Sequence, residues 1–289
     1  MNIKISNRQL AFLVSNSMVS VSLVILPQSL VDLSLQNAWL VFPLLFLFVL
    51  LIITGGLYGL KKLKTFDLTE GQGNWQKRCL AFLFVLFISH VLIRDLTIIT
   101  GFIEATLLPL TPVYVITILV IACSLYISWA GIEVIARYNE ICFLIFLGVV
   151  LFIPISLIDS LAIENFEPVL GLETIPSVFQ SAYLGLAWVG EIIIVFLIIG
   201  MVNPLKNVKR AIFLGGAIGI GMLFILIFSG IAVLGAEILR YTTYPTYTLV
   251  QQIRITEFLD RLDFFLVSLY FPAVFSKFAL FFFWVTACF

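Results

Sequence analysis

Four ionisable residues stand inside otherwise apolar runs of this chain. A charge in hydrocarbon costs a few kcal/mol, so each needs a partner, a cavity or a task. Glu191 lies in "GLAWVGEIIIVF", one helical step from Trp188 and beside Gly190. Lys277 lies near the middle of "LYFPAVFSKFALFFF", and Arg94 and Asp95 are adjacent in the third apolar run. A carboxylate so placed serves as a ligand or gating group, or it stays protonated and bonds a neighbouring helix. An ion pair between Glu191 and Lys277 would lower the cost of both charges. Arg94 and Asp95 fall toward the outer end of their run, where Arg94 can snorkel and neighbours in sequence do not share a helix face. The other reading is that they line a pathway.

The elements that position these groups follow from composition. The chain has 289 residues, 62% hydrophobic and 11% charged, so most of it must find an apolar solvent outside itself. An all-α integral membrane protein is the expectation, a single membrane domain over 1–289. Eight apolar runs approach the roughly 20 residues a spanning helix needs: Leu10–Val31, Ala38–Leu60, Leu80–Thr100, Val113–Trp129, Ile141–Ile158, Val178–Met201, Ile212–Gly235 and Phe264–Phe289. None alternates in polarity as a barrel strand would.

With the N-terminus inside, lysine and arginine concentrate in the inner segments, and the outer loop Asp159–Pro176 carries four acidic residues and no basic one. The short loops leave room for no soluble domain. Between spans, Thr65–Arg78 reads as a cytoplasmic connection, and Thr248–Leu262 as an amphipathic helix along the outer surface. Zero net charge and the absence of a basic face point away from nucleic acid. Cys79, Cys123, Cys142 and Cys288 form no CxxC pair and read as buried packing residues. His90 stands alone and reads as a core histidine; Glu133 and Arg137 read as a stabilising pair ending the fourth span. Hydrolase, metalloprotease and P-loop motifs are missing, so neither an enzyme nor a cofactor is expected.

Several spans carry helix-breaking features. "NSMVSVSLVILP" places serines before Pro27, and serine hydroxyls can satisfy backbone groups freed where a membrane helix breaks. Gly185 and Gly190 bracket Leu186, Ala187, Trp188 and Val189 in the sixth span, and Gly215 and Gly219 form a GxxxG spacing in the seventh. Two interruptable helices five spans apart are the pattern of a transporter of inverted five-helix repeats, here about 8–160 and an incomplete 177–289.

The segments "ISNRQLAFLVSNSMVSVSLVILP", "LLPLTPVYVI", "GIEVIARYNEICF", "NFEPVLG", "GEIIIVFLIIGMVNP" and "YPTYTLVQQIRITEFLDRLDFFLVSLYFPAVFSKF" resemble, in order, the B subunit of spore germinant receptors, the endospore germination permease family of the amino acid, polyamine and organocation transporter superfamily. The resemblance implies helices one and six broken around a site for a small nutrient such as an amino acid. It also implies A-type and C-type partner subunits and residence in the inner spore membrane. Carried over by position, the breaks fall at Val19, Ser20, Val21 and Ser22 and at Leu186, Ala187, Trp188 and Val189, with Glu191 just beyond; Arg94, Asp95 and Lys277 are the further intramembrane charges. Two departures stand out: "SMVSVS" has no glycine, and eight spans replace ten, which implies a second repeat lacking its last two helices. An amino acid permease and a truncated, non-binding assembly subunit therefore remain alternatives.

Overall fold

Apolar runs with few charges fold as helices because hydrocarbon offers backbone N–H and C=O groups no other partner. The computed structural model describes residues 5–63, 75–169, 171, 174–253 and 262–287. Helices dominate: α1 (Asn7–Val19), α2 (Ser22–Ser34), α3 (Val41–Leu63), α4 (Trp75–Thr106), α5 (Val113–Trp129), α6 (Ile132–Ser156), α7 (Ile175–Val189), α8 (Val195–Ile198), α9 (Val208–Tyr241), α10 (Pro245–Gln251) and α11 (Leu262–Ala287). Extended pairing among the described residues is limited to one bridge, Ile5 to Val202. The protein is all-α and membrane-integral, as expected.

Each of the eight apolar runs is helical over most of its described residues, but among the described residues six stretches are long and apolar enough to cross a membrane. The first run is divided into α1 and α2, 13 residues each, and α2 continues through a 3-10 turn into α3. α5, at 17 residues, falls short of the six spanning stretches. α6 begins at Ile132, after Gly131 in the left-handed region (φ 88°), which turns the chain between α5 and α6. Glu133 and Arg137 consequently open the fifth span instead of closing the fourth. Residues 65–74 of the expected cytoplasmic loop lie outside the described residues, as do 254–261 of the expected amphipathic helix; α10 precedes the latter.

Close packing sets the centre of the bundle. At Gly215 a Cβ would stand 2.5 Å from the Ala11 carbonyl oxygen and 2.7 Å from Val14 Cβ, so α9 lies directly against α1. Ser15 Oγ donates across that contact to the Gly215 carbonyl at 2.7 Å. Gly219, one turn on, meets Met18 and Ser15 at ordinary contact distance, so the GxxxG spacing serves helix approach. α11 packs on α5 and α6, and α2 on α7.

Candidate functional site

The first helix is interrupted at Ser20 and Val21, yet both keep helical dihedrals (φ −57°, ψ −33° and φ −105°, ψ −32°), so the chain slips instead of unwinding. Val19, Ser20, Val21 and Ser22 are fully buried. Serine hydroxyls bond the carbonyls of this turn locally. Ser20 Oγ donates to Asn16 at 2.8 Å, and Ser22 Oγ to Met18 at 2.6 Å and Val19 at 3.1 Å. The Tyr270 hydroxyl of α11 donates to the Ser20 carbonyl. Pro27, inside α2, lacks an N–H and cannot bond the carbonyl four residues back; that carbonyl, on Leu23, accepts from Thr246 Oγ1 at 2.6 Å. Serine, threonine and tyrosine hydroxyls thus bond carbonyls on both sides of this interruption.

The second interruption, unlike the first, is displaced from its expected position. Leu186, Ala187, Trp188 and Val189 are regular α-helix, and the irregularity follows them, as 3-10 turns over Gly190–Ile194 and Ile199–Met201 flanking the single turn α8. Of the two bracketing glycines, Gly185 is needed for packing, since a Cβ there would lie 3.0 Å from Leu45 of α3; Gly190 has open space and a helical conformation. Of the four residues, Trp188 and Val189 are buried, Leu186 is half-buried and Ala187 is exposed.

Glu191 sits in the first of these 3-10 turns and is fully buried, as are Asp95 and, to 1% exposure, Lys277. The structure joins all four intramembrane charges. Lys277 Nζ lies 2.6 Å from Glu191 Oε2 and 2.7 Å from Asp95 Oδ2, contacts close in distance but poorly aligned as hydrogen bonds. Arg94 does not snorkel outward. It folds back, donating from Nη2 to Asp95 Oδ1 at 2.8 Å, from Nε to the same oxygen at 3.0 Å, and from Nη1 to the Ala187 carbonyl at 3.1 Å. Nη2 also contacts Glu191 Oε1, and the guanidinium lies 3.9 Å over the Trp188 ring. Two cations and two carboxylates from α4, α11 and the 3-10 turn therefore neutralise one another, and Trp188 underlies the arginine. Adjacent residues 94 and 95 share this site because the long arginine stem reaches back to its neighbour's carboxylate.

A polar layer borders the lattice along α11. Asn16 Nδ2 donates to the Ala273 carbonyl at 2.8 Å, and Ser276 Oγ donates to Asn139 Oδ1 at 2.7 Å. All of these side chains are buried. Tyr270, Asn16, Asn139 and Ser276 escaped the reading of the sequence. Their signal was present: asparagines inside apolar spans, and Tyr270, Ala273, Ser276 and Lys277 at helical spacing on α11. His90 is exposed, not a core residue, and of the cysteines in the described residues only Cys142 is buried.

At the N-terminal end of α1, the chain is tied to the segment after α8. Ile5 N–H donates to Met201 and Asn203 N–H donates to Ile5, each at 3.0 Å, and Asn7 Nδ2 donates to Pro204 at 2.9 Å. Arg8 and Gln9 both engage Glu140 of α6.

Comparison with known proteins agrees with this architecture. Three proteins of Bacillus subtilis (strain 168) are similar: YfkT, 31% identical over 70% of this chain and 55% of its own length; spore germination protein KB, 29% over 65% and 52%; and spore germination protein YndE, 24% over 73% and 58%. The matched region thus spans about half the length of these relatives. The family model described as spore germination protein, the spore permease family, matches residues 4–289. With that match over almost its whole length, the chain belongs to the spore germination protein family.

Proposed function

We propose that this chain is the nutrient-sensing membrane subunit of a spore germinant receptor, resident in the inner spore membrane with its N-terminus cytoplasmic and assembled with A-type and C-type partners. Its ligand is a small germinant such as an amino acid, held where two inverted repeats, about 8–160 and 177–289, bring their interrupted helices together. The observation that carries this reading is the neutral lattice of Arg94, Asp95, Glu191 and Lys277, which links α4 and α11 to the second interruption. An amino acid zwitterion brings one positive and one negative group, so it can exchange for one cation and one carboxylate without leaving net charge in the membrane. Such an exchange releases α4 or α11 from the turn after α7, and that release is the signal passed to the partners.

Saturable binding of radiolabelled amino acids to the purified chain, with and without Glu191→Gln, tests the site; unchanged affinity overturns it. Trp188 lies under Arg94, so its fluorescence should change when the lattice opens. A second reading, a non-binding assembly subunit, is favoured by the capped carbonyls of the first interruption, which leave little for a ligand to bond there. It predicts no saturable binding and no Trp188 response. The third, an amino acid permease, predicts uptake of labelled amino acid into proteoliposomes.

A further inference from the structure

Two turns before Lys277 on α11, Tyr270 forms one wall of a cavity of about 40 Å³ bounded by six helices. Phe102 of α4, Phe146 and Val150 of α6, and Leu226 of α9 are among the side chains that line it, and α10 contributes Thr246. No charged side chain among the described residues lines it. Two of the hydroxyls in its wall are committed: Thr246 donates to Leu23 and Tyr270 donates to Ser20. Tyr247, also in the wall, packs edge-on against Phe102 with ring centroids 5.8 Å apart.

We infer that this cavity is a binding site, separate from the charge lattice, for an uncharged apolar molecule or group of about three to four non-hydrogen atoms, the size that 40 Å³ of space for water-sized spheres allows. A charged guest would give up its hydration for described walls that return no counter-charge. An apolar guest gains dispersion contacts with the aromatic rings instead. Occupancy also has a route to the first interruption, because Tyr270 touches the guest with its ring and holds the Ser20 carbonyl with its hydroxyl. The site does not depend on the germinant-sensing reading, since it makes no use of Glu191 or Lys277.

The test uses anomalous diffraction from crystals of the chain soaked with two probes of similar size, neutral bromoethane and the 2-bromoethylammonium cation. The expected result is a bromine peak between Phe102, Phe146 and Tyr270 with bromoethane and none with the cation. The peak should disappear in Val150→Phe or, if that variant does not fold, in Leu226→Phe. A cavity empty in both soaks, a peak with both probes, or a bromoethane peak that persists in the filled variant overturns the proposal. Unchanged amino acid affinity in Glu191→Gln would overturn the germinant site and leave these results as they are, so the two readings fail separately.

Discussion

The charge lattice and the apolar cavity lie about two turns apart on α11, at Lys277 and Tyr270, and they are built on opposite principles. In the lattice every group depends on its partners, because an unpaired charge in a buried, membrane-embedded site has no water to fall back on. In the cavity no group needs a partner beyond those already made, and shape decides what enters. The difference teaches where this bundle tolerates change. The lattice should resist single substitutions and accept compensated ones, whereas the cavity should accept polarity-neutral changes and respond to volume.

The largest effect is expected from Lys277→Met, which leaves Asp95 and Glu191 sharing only Arg94. Removing one partner from a buried ion network costs about 3–5 kcal/mol, read as a lowered thermal unfolding midpoint of the purified protein in detergent. Adding Glu191→Gln returns the site to neutrality and should recover most of the loss. If the double variant is no more stable than the single one, the four residues do not act as a charge-balanced unit and the contrast with the cavity collapses.

Gly215→Ala comes next and probes the frame outside both regions. The new methyl would meet the Ala11 carbonyl at 2.5 Å, a backbone atom that cannot swing away. Separating α1 from α9 should cost about 1–3 kcal/mol in the same measurement.

Tyr270→Phe keeps the cavity wall and removes only the hydroxyl that holds Ser20. A loss of about 1–2 kcal/mol is expected, with the amide of Val24 or its neighbours exchanging faster with deuterium as the interruption loosens. Unchanged exchange would mean that the cavity and the interruption are not coupled through this residue.

The smallest effect is expected at Gly190, next to Glu191. Its dihedrals are helical and nothing stands within 4 Å of where a methyl would sit, so Gly190→Ala should stabilise by about 0.4–1 kcal/mol through the unfolded chain. A marked destabilisation would show that the second interruption needs glycine's freedom after all.

Much of this was legible in the sequence, and the exceptions share a cause. The serines before Pro27 announced an interruption because hydroxyls near a proline have a local use, and the structure puts them to that use. The GxxxG spacing announced a close helix approach because nothing but small residues allows one. Leu186–Val189 misled, since glycines at both ends suggested a break between them, while Gly185 serves contact with Leu45 and the irregular turns begin only at Gly190. Arg94 misled differently: its place near the end of a run suggested snorkelling, but Glu191, Asp95 and the Ala187 carbonyl offered it a better set of partners inside.

By itself the sequence determined that the chain is a bundle of membrane helices, that one helix is interrupted near Ser20, and that four charges need an answer, because hydrophobicity, proline and unpaired charge act on local stretches. Only the tertiary structure decided that Arg94, Asp95, Glu191 and Lys277 answer one another, and that Tyr270 closes both a cavity and a helix slip. Those contacts join residues up to 250 positions apart, and a pairing between distant side chains depends on how helices pack, which no local spacing records.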